Sequence, residues 1–187
     1  MDYEKFFAIA EDVSCTARQV ILRDGYHIQV FLLYCANGAT IPVTDADTSV
    51  SHKQLFDKVK AQNPDRTDQE CEIWANDIAK DIICEAVRSL ASAHDAIGLI
   101  HICEAWMRMA TTEEIKSGDF NPRASQHPDR KEILSVAAYT RKNQRCYGYI
   151  IHRNDDQTIR NLEKMPAWGK TEVTGEGRFA ECLPAGH

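Results

Sequence analysis

The spacing of apolar residues divides the first part of the chain into a helix and a hairpin. Over residues 3–24 they recur at three- and four-residue steps, which predicts an amphipathic helix. Residues 27–35 are dense in β-branched and aromatic side chains and predict a strand. Asn37-Gly38 is a strong hairpin signal, and the return strand contains Pro42. Because proline has no N–H to donate, we expect that strand at an edge of the sheet.

Two helices are predicted next, one over residues 51–62 and one from Thr67 to about Ala93. Thr67 and Glu70 have the spacing of a capping box, which marks the start of the second helix. We expect this long helix to pack along the face of a sheet. Its predicted inward stripe consists of Trp74, Ile78, Ile82, Ala86 and Leu90, and it is widened by Ile83 and Val87.

The second part of the chain has the pattern of a strand meander. Residues 97–109 are the most apolar segment and predict the central strand. Residues 111–131 have no apolar period and predict a long loop. Two strands joined by a tight turn follow, over 132–142 and 145–153, and residues 158–164 fit either a short helix or an edge strand.

This order of elements predicts an α+β fold, with an antiparallel or mixed sheet of about five strands and three helices grouped on one face. The whole chain, 1–187, is expected to form a single domain. Residues 154–187 are its least defined part, and within them 179–183 are expected to form a final short strand.

Composition narrows the class of protein. The chain has 187 residues, a net charge of −6 and 43% hydrophobic residues, which excludes collagen-like, disordered and strongly basic nucleic-acid-coating proteins. It has no apolar run near the length of about 20 residues that a bilayer requires. The acidic residues near its start differ from a secretory signal, so we expect a cytoplasmic protein. Seven cysteines without a C-x-x-C pair favour buried thiols.

The sequence predicts neither a cofactor nor a metal. It contains no glycine-rich phosphate loop and no H-E-x-x-H helix. His101 and Cys103 share one face of the central strand, and His152 lies on a later strand. Zinc requires three or four such ligands, so we interpret His101 as a core histidine beside a buried thiol.

Glu104 is the first candidate for chemistry, because a carboxylate in so apolar a strand is costly to bury without a partner. One interpretation is a structural ion pair with Arg108, Arg141 or Arg145; the other is a functional carboxylate.

The predicted loop offers a second candidate. Its side chains suited to anion binding or acid–base chemistry are His127, Asp129 and Arg130, although Pro128 can equally fix a turn in which Asp129 pairs locally.

A third candidate follows from an uneven distribution of charge. Residues 121–170 hold ten Lys/Arg and five Asp/Glu, while the chain as a whole is acidic. Within them, one face of a predicted strand carries Arg145, Tyr147, Tyr149 and Arg153. Aromatic and Arg side chains on an open sheet face stack single-stranded bases, but tyrosines that pack beneath a helix give the same pattern. Nucleic acid is therefore an alternative partner, not the leading one.

Two short motifs resemble a group of uncharacterised prokaryotic proteins. Residues 102–107 read I-C-E-A-W-M and residues 125–132 read S-Q-H-P-D-R-K-E, similar to a strand that ends in E-A-W and a loop with H-P-D-R in that group. The resemblance covers roughly residues 27–153. It implies one structural feature, with the loop folded back over the strand end, made of Glu104, Trp106, His127, Pro128, Asp129 and Arg130. It implies no known activity.

Taken together, these patterns favour a non-catalytic binding or regulatory domain that acts through a protein partner or through self-association. The three tryptophans and a predicted sheet edge are the features that point to it. Two alternatives remain open. One is a small-molecule-binding or hydrolytic site at Glu104, Trp106, His127, Asp129 and Arg130, and the other is the nucleic-acid face.

Overall fold

A six-stranded antiparallel sheet forms the centre of the molecule. The computed structural model describes residues 3–44, 51–108, 112–117, 128–166 and 179–184. Within these residues the strands are β1 (Val30–Cys35), β2 (Thr40–Thr44), β3 (Ala96–Met107), β4 (Lys131–Tyr139), β5 (Gln144–Arg153) and β6 (Ile159–Lys164). They lie in the order β2-β1-β3-β4-β5-β6, with every neighbouring pair antiparallel.

The helices begin and end where local chemistry favours it. They are α1 (Tyr3–Asp24), α2 (His52–Gln62), α3 (Asp68–Ala93), α4 (Thr112–Ser117) and a 3-10 turn (Ala180–Cys182). A capping box starts α3, since the Thr67 hydroxyl accepts from the Glu70 amide and the Glu70 carboxylate accepts from the Thr67 amide at 2.9 Å. After α1 the chain turns at Gly25, whose φ of +81° suits a residue without a side chain.

The predicted fold class is confirmed: the protein is α+β with an antiparallel sheet. The strand that contains Pro42 lies at one edge, and β3 lies in the interior of the sheet, as the sequence predicts. Residues 159–164 form the opposite edge strand, so the sheet has six strands instead of about five.

Two local predictions are wrong. Residues 180–182 form a 3-10 turn and not a strand, because the Cys182 amide donates to the Phe179 carbonyl at 3.1 Å and the segment lies across a sheet face. Residues 112–117 form the short helix α4 within the predicted loop. The central strand ends at Met107, and Met109 lies outside the described residues.

The first core lies between α1 and one face of the sheet. Phe6 and Ile21 of α1 pack with Ile100 of β3 and Leu134 of β4, and all four side chains are fully buried. Full burial of a large apolar side chain contributes about 1.5–3 kcal/mol, so this seam is a major source of stability.

The second core covers the opposite face of the sheet. Val87 from the C-terminal half of α3 and Leu183 from the segment after the 3-10 turn pack with Leu33 and Leu99. The helices are therefore on both faces, which corrects the expected grouping on one. The cause lies in β3, where adjacent residues point to opposite faces and both Leu99 and Ile100 are buried, so each face requires a cover.

A third, smaller cluster joins α2 to the N-terminal half of α3, where Val59 packs with Cys71 and Ala75. The inward stripe predicted for α3 is consequently wrong for Trp74, Ile78 and Ile82, whereas Val87 is buried as predicted. The buried residues of α3 are Cys71, Ala75, Cys84, Val87 and Ala91. Of the predicted stripe, Trp74, Ile78 and Ile82 are exposed, and Ala86 and Leu90 are half-buried.

We expect Gly98→Ala to destabilise the protein by about 1–3 kcal/mol through overpacking. A β-carbon at Gly98 would lie 2.5 Å from Cε2 of the buried Phe6 ring. The free energy of unfolding in urea measures the effect. Phe6→Leu is the matched background: the cost of Gly98→Ala should shrink there, and an equal cost in both backgrounds would contradict this account of the contact.

Candidate functional site

Three charged side chains meet at one end of the sheet, on the face that α1 covers. Glu104 lies on β3, Glu132 on β4 and Arg153 on β5, and all three are partly buried. Alternation along the strands places them on the same face as Ile100 and Leu134. Antiparallel pairing then brings the end of β3, the start of β4 and the end of β5 together.

The guanidinium of Arg153 uses all five of its N–H donors. It holds Glu132 with two bonds, from Nε at 2.8 Å and from Nη2 at 2.7 Å, and Nη2 also donates to Glu104 at 3.3 Å. Nη1 donates to the carbonyl oxygens of Gly25 at 3.1 Å and Gln157 at 3.0 Å. The hydrogen bond to Glu132 is the largest cause that raises the pKa of Arg153. Arg153, Glu104 and Glu132 thus form a structural ion-pair cluster, which we call the ionic tie.

The second carboxylate oxygen of Glu104 accepts the backbone N–H of His27. The tie thus fixes the chain after α1 to the end of β3. The arginine that pairs with Glu104 is thus neither Arg141 nor Arg145, two of the partners expected from the sequence. Arg141 donates to backbone carbonyls of the C-terminal segment, and Arg145 pairs with Glu4 at 2.7 Å.

The predicted loop site is only partly described. Arg130 lies over the exposed ring of Trp106, with its guanidinium carbon 4.6 Å from the ring centre, which is cation–π geometry. Asp129 is exposed beside it in sequence. His127 lies outside the described residues, so the acid–base group of Glu104, His127, Asp129 and Arg130 stays a prediction.

The predicted nucleic-acid face is covered by α1. Tyr147 and Tyr149 are buried, and the Tyr147 hydroxyl donates to the Phe7 carbonyl at 3.0 Å. Arg145 lies 4.3 Å above the Phe7 ring, and the fourth residue, Arg153, is held in the ionic tie. Bases stack on exposed rings, so this arrangement matches the alternative in which tyrosines pack beneath a helix.

His101 lies on the opposite face of β3, inside an aromatic cluster. Its ring stacks on Phe31 at 4.5 Å between centroids and meets Phe179 at 4.7 Å, while Gln29 lies 2.9 Å from its Nε2. Burial lowers the pKa of His101 to about 4 and raises the pKa of Cys103 to about 11. Among the described residues no three His, Cys, Asp or Glu side chains are grouped as metal ligands.

The exposed side of α3 carries a regular apolar surface. Trp74, Ile78 and Ile82 are 40%, 41% and 38% exposed, and their four-residue spacing places them along adjacent turns. We call this surface the α3 stripe. The sequence pattern predicts these residues in the core, but they lie at the surface. The sequence feature that indicates the true buried side is a second line of small residues, Cys71 and Ala75. Their size lets α2 approach α3 closely.

Acidic side chains border the α3 stripe on one side. At 100° per residue, the helix places on that border the exposed residues Glu70, Asp77, Asp81 and Glu85. Ala79 and Ala86 lie along the other border. Arg66 lies at the N-terminal end of the stripe, with its guanidinium carbon 4.3 Å from the centre of the Trp74 ring. The result is an apolar strip with four acidic side chains along one edge, two of which pair with Lys80 and Arg88 of the same helix.

Comparisons of the chain with protein-family models, curated proteins and solved structures found no match. The resemblance noted in the sequence therefore stays a prediction. No helix among the described residues is long and apolar enough to span a membrane.

Loss of the Arg153 side chain should lower the free energy of unfolding. Arg153→Met leaves Glu104 and Glu132 partly buried without their cation, and we expect a loss of about 3 kcal/mol in unfolding free energy. Arg145→Met is the control, because its partner Glu4 is exposed, and it should lose about 1 kcal/mol or less. Urea unfolding of both variants measures this, and equal losses would contradict the structural role.

His101 should make stability depend on pH. Because its folded pKa of about 4 is below the usual 6.5, the neutral form stabilises the fold above pH 6.5. That contribution, about 3 kcal/mol, is lost as the pH falls from about 6.5 to about 4. We expect His101→Gln to lose less stability than the wild type between pH 7 and pH 4 in urea unfolding. The same loss in both proteins would contradict the pKa assignment.

Proposed function

We propose that this protein is a non-catalytic binding domain that docks a protein partner on the α3 stripe. The observation that carries the proposal is the exposure of Trp74, Ile78 and Ile82 in register on one helix. Interfaces are enriched in aromatic residues at their buried centre, and an amphipathic helix face is a common recognition surface. Each of the three side chains gains burial when a partner covers it.

The ionic tie supports binding over catalysis at the end of the sheet. A general acid or base must reach the substrate with its own carboxyl group. Both oxygens of Glu132 accept from Arg153, and the oxygens of Glu104 accept from Arg153 and from His27. These contacts use the carboxylates to hold three strands and the end of α1 together.

The test is native purification from cells that make the protein, with the wild type compared with Ile78→Asp. Ile28→Asp is the matched control, because Ile28 is 55% exposed on another part of the surface and undergoes the same change. We expect one companion protein in near-equimolar amount with the wild type and with Ile28→Asp, and its loss with Ile78→Asp. Circular dichroism and thermal unfolding show whether each variant is folded.

Two results would overturn the proposal. One is a companion that remains bound to Ile78→Asp, and the other is a wild-type protein that purifies without a companion. An exposed substitution changes stability by about 0.5 kcal/mol or less, so a folded Ile78→Asp protein is expected.

A further inference from the structure

We infer, on the basis of the proposed function, that the partner segment is a basic amphipathic helix whose apolar side covers the α3 stripe and whose Lys or Arg side chains face its acidic border. The stripe has the dimensions for such a ligand. From Trp74 to Ile82 it extends over eight residue steps, a rise of about 12 Å along α3 or slightly more than two turns. A second helix covers that length with side chains spaced three and four residues apart.

The charge of the border determines the charge of the partner. Asp77 and Asp81 flank the stripe at its centre, and Glu85 extends the border toward the C-terminal half of α3. Asp77 pairs with Lys80 at 3.3 Å and Glu85 pairs with Arg88, both within the same helix and both exposed. Exposed pairs contribute little, so cations of a docked helix compete with them readily. An acidic partner would instead meet like charge at Asp77, Asp81 and Glu85.

A second copy of this chain fits the stripe less well. In an antiparallel pair of identical helices, each border faces the same border of the other helix. The acidic borders would then lie against each other, with Asp77 and Asp81 of both copies in proximity. The net charge of −6 on each chain adds to that repulsion.

The experiment measures binding of two synthetic 18-residue helical peptides to the full chain by fluorescence anisotropy. Both peptides have leucines at the same positions, and they carry lysine or glutamate at all others. We expect the lysine peptide to bind at least about tenfold more tightly at low ionic strength, with the ratio falling as salt screens the charges. Equal binding of the two peptides, or no binding of either, would overturn the inference.

Variants of the chain show whether the lysine peptide binds at the α3 stripe or is attracted to the acidic protein in general. Asp77→Asn/Asp81→Asn should weaken the lysine peptide by about three- to tenfold. Asp12→Asn/Asp155→Asn removes the same charge from two exposed positions outside α3 and should leave the affinity unchanged. Ile78→Ser removes apolar contact without a change of charge and should weaken binding by about tenfold. Equal effects of the two double variants, or no effect of Ile78→Ser, would contradict the site.

The outcomes distinguish this inference from the proposed function. If the native companion depends on Ile78 but the peptides bind regardless of their charge, the docking surface stands and the basic partner is wrong. If sedimentation shows that the wild type self-associates and Ile78→Asp does not, a second copy occupies the stripe, which also overturns the basic helix.

Discussion

Burial on both faces of β3 is the constraint on which the rest of the structure depends. Leu99 and Ile100 are adjacent and fully buried, and because strand side chains alternate, each requires its own cover. One cover is α1, whose Phe6 lies so close to β3 that Gly98 has no room for a side chain. The other is the C-terminal half of α3 together with the segment around the 3-10 turn. The ionic tie at Arg153 then fixes the end of α1 to three strands.

The same constraint explains why an apolar stripe is left on the surface. Only the C-terminal half of α3 packs on the sheet, through Cys84, Val87 and Ala91. Its N-terminal half packs on α2 through Cys71 and Ala75, which are small. The larger residues of this half, Trp74 and Ile78, lie beside the α2 contact and remain 40% and 41% exposed. Large apolar residues held in register at the surface are the physical basis of the proposed interface.

Much of the fold could be predicted from local pattern. The capping box at Thr67 set the start of α3, and Pro42 placed β2 at an edge, because each effect involves only neighbouring backbone groups. Two features could not be predicted: that both faces of β3 are covered, and which side of α3 faces the core. Hydrophobicity alone does not say whether a tryptophan or an alanine of a helix is buried. For the candidate site, Glu104 was correctly expected to need a partner, but Arg153 comes from a strand two positions away in the sheet.

The central claim is that Trp74 is partly exposed at the surface, at 40%, because α2 packs on the small residues Cys71 and Ala75 of α3 instead. Trp106→Phe/Trp168→Phe leaves Trp74 as the single tryptophan, and acrylamide quenching of its fluorescence tests the claim directly. We expect acrylamide to quench this emission in the native state to an appreciable fraction of the quenching in the unfolded protein, because the ring is 40% exposed. Short-wavelength emission that resists acrylamide until the protein unfolds would show that Trp74 belongs to the core and would contradict the account.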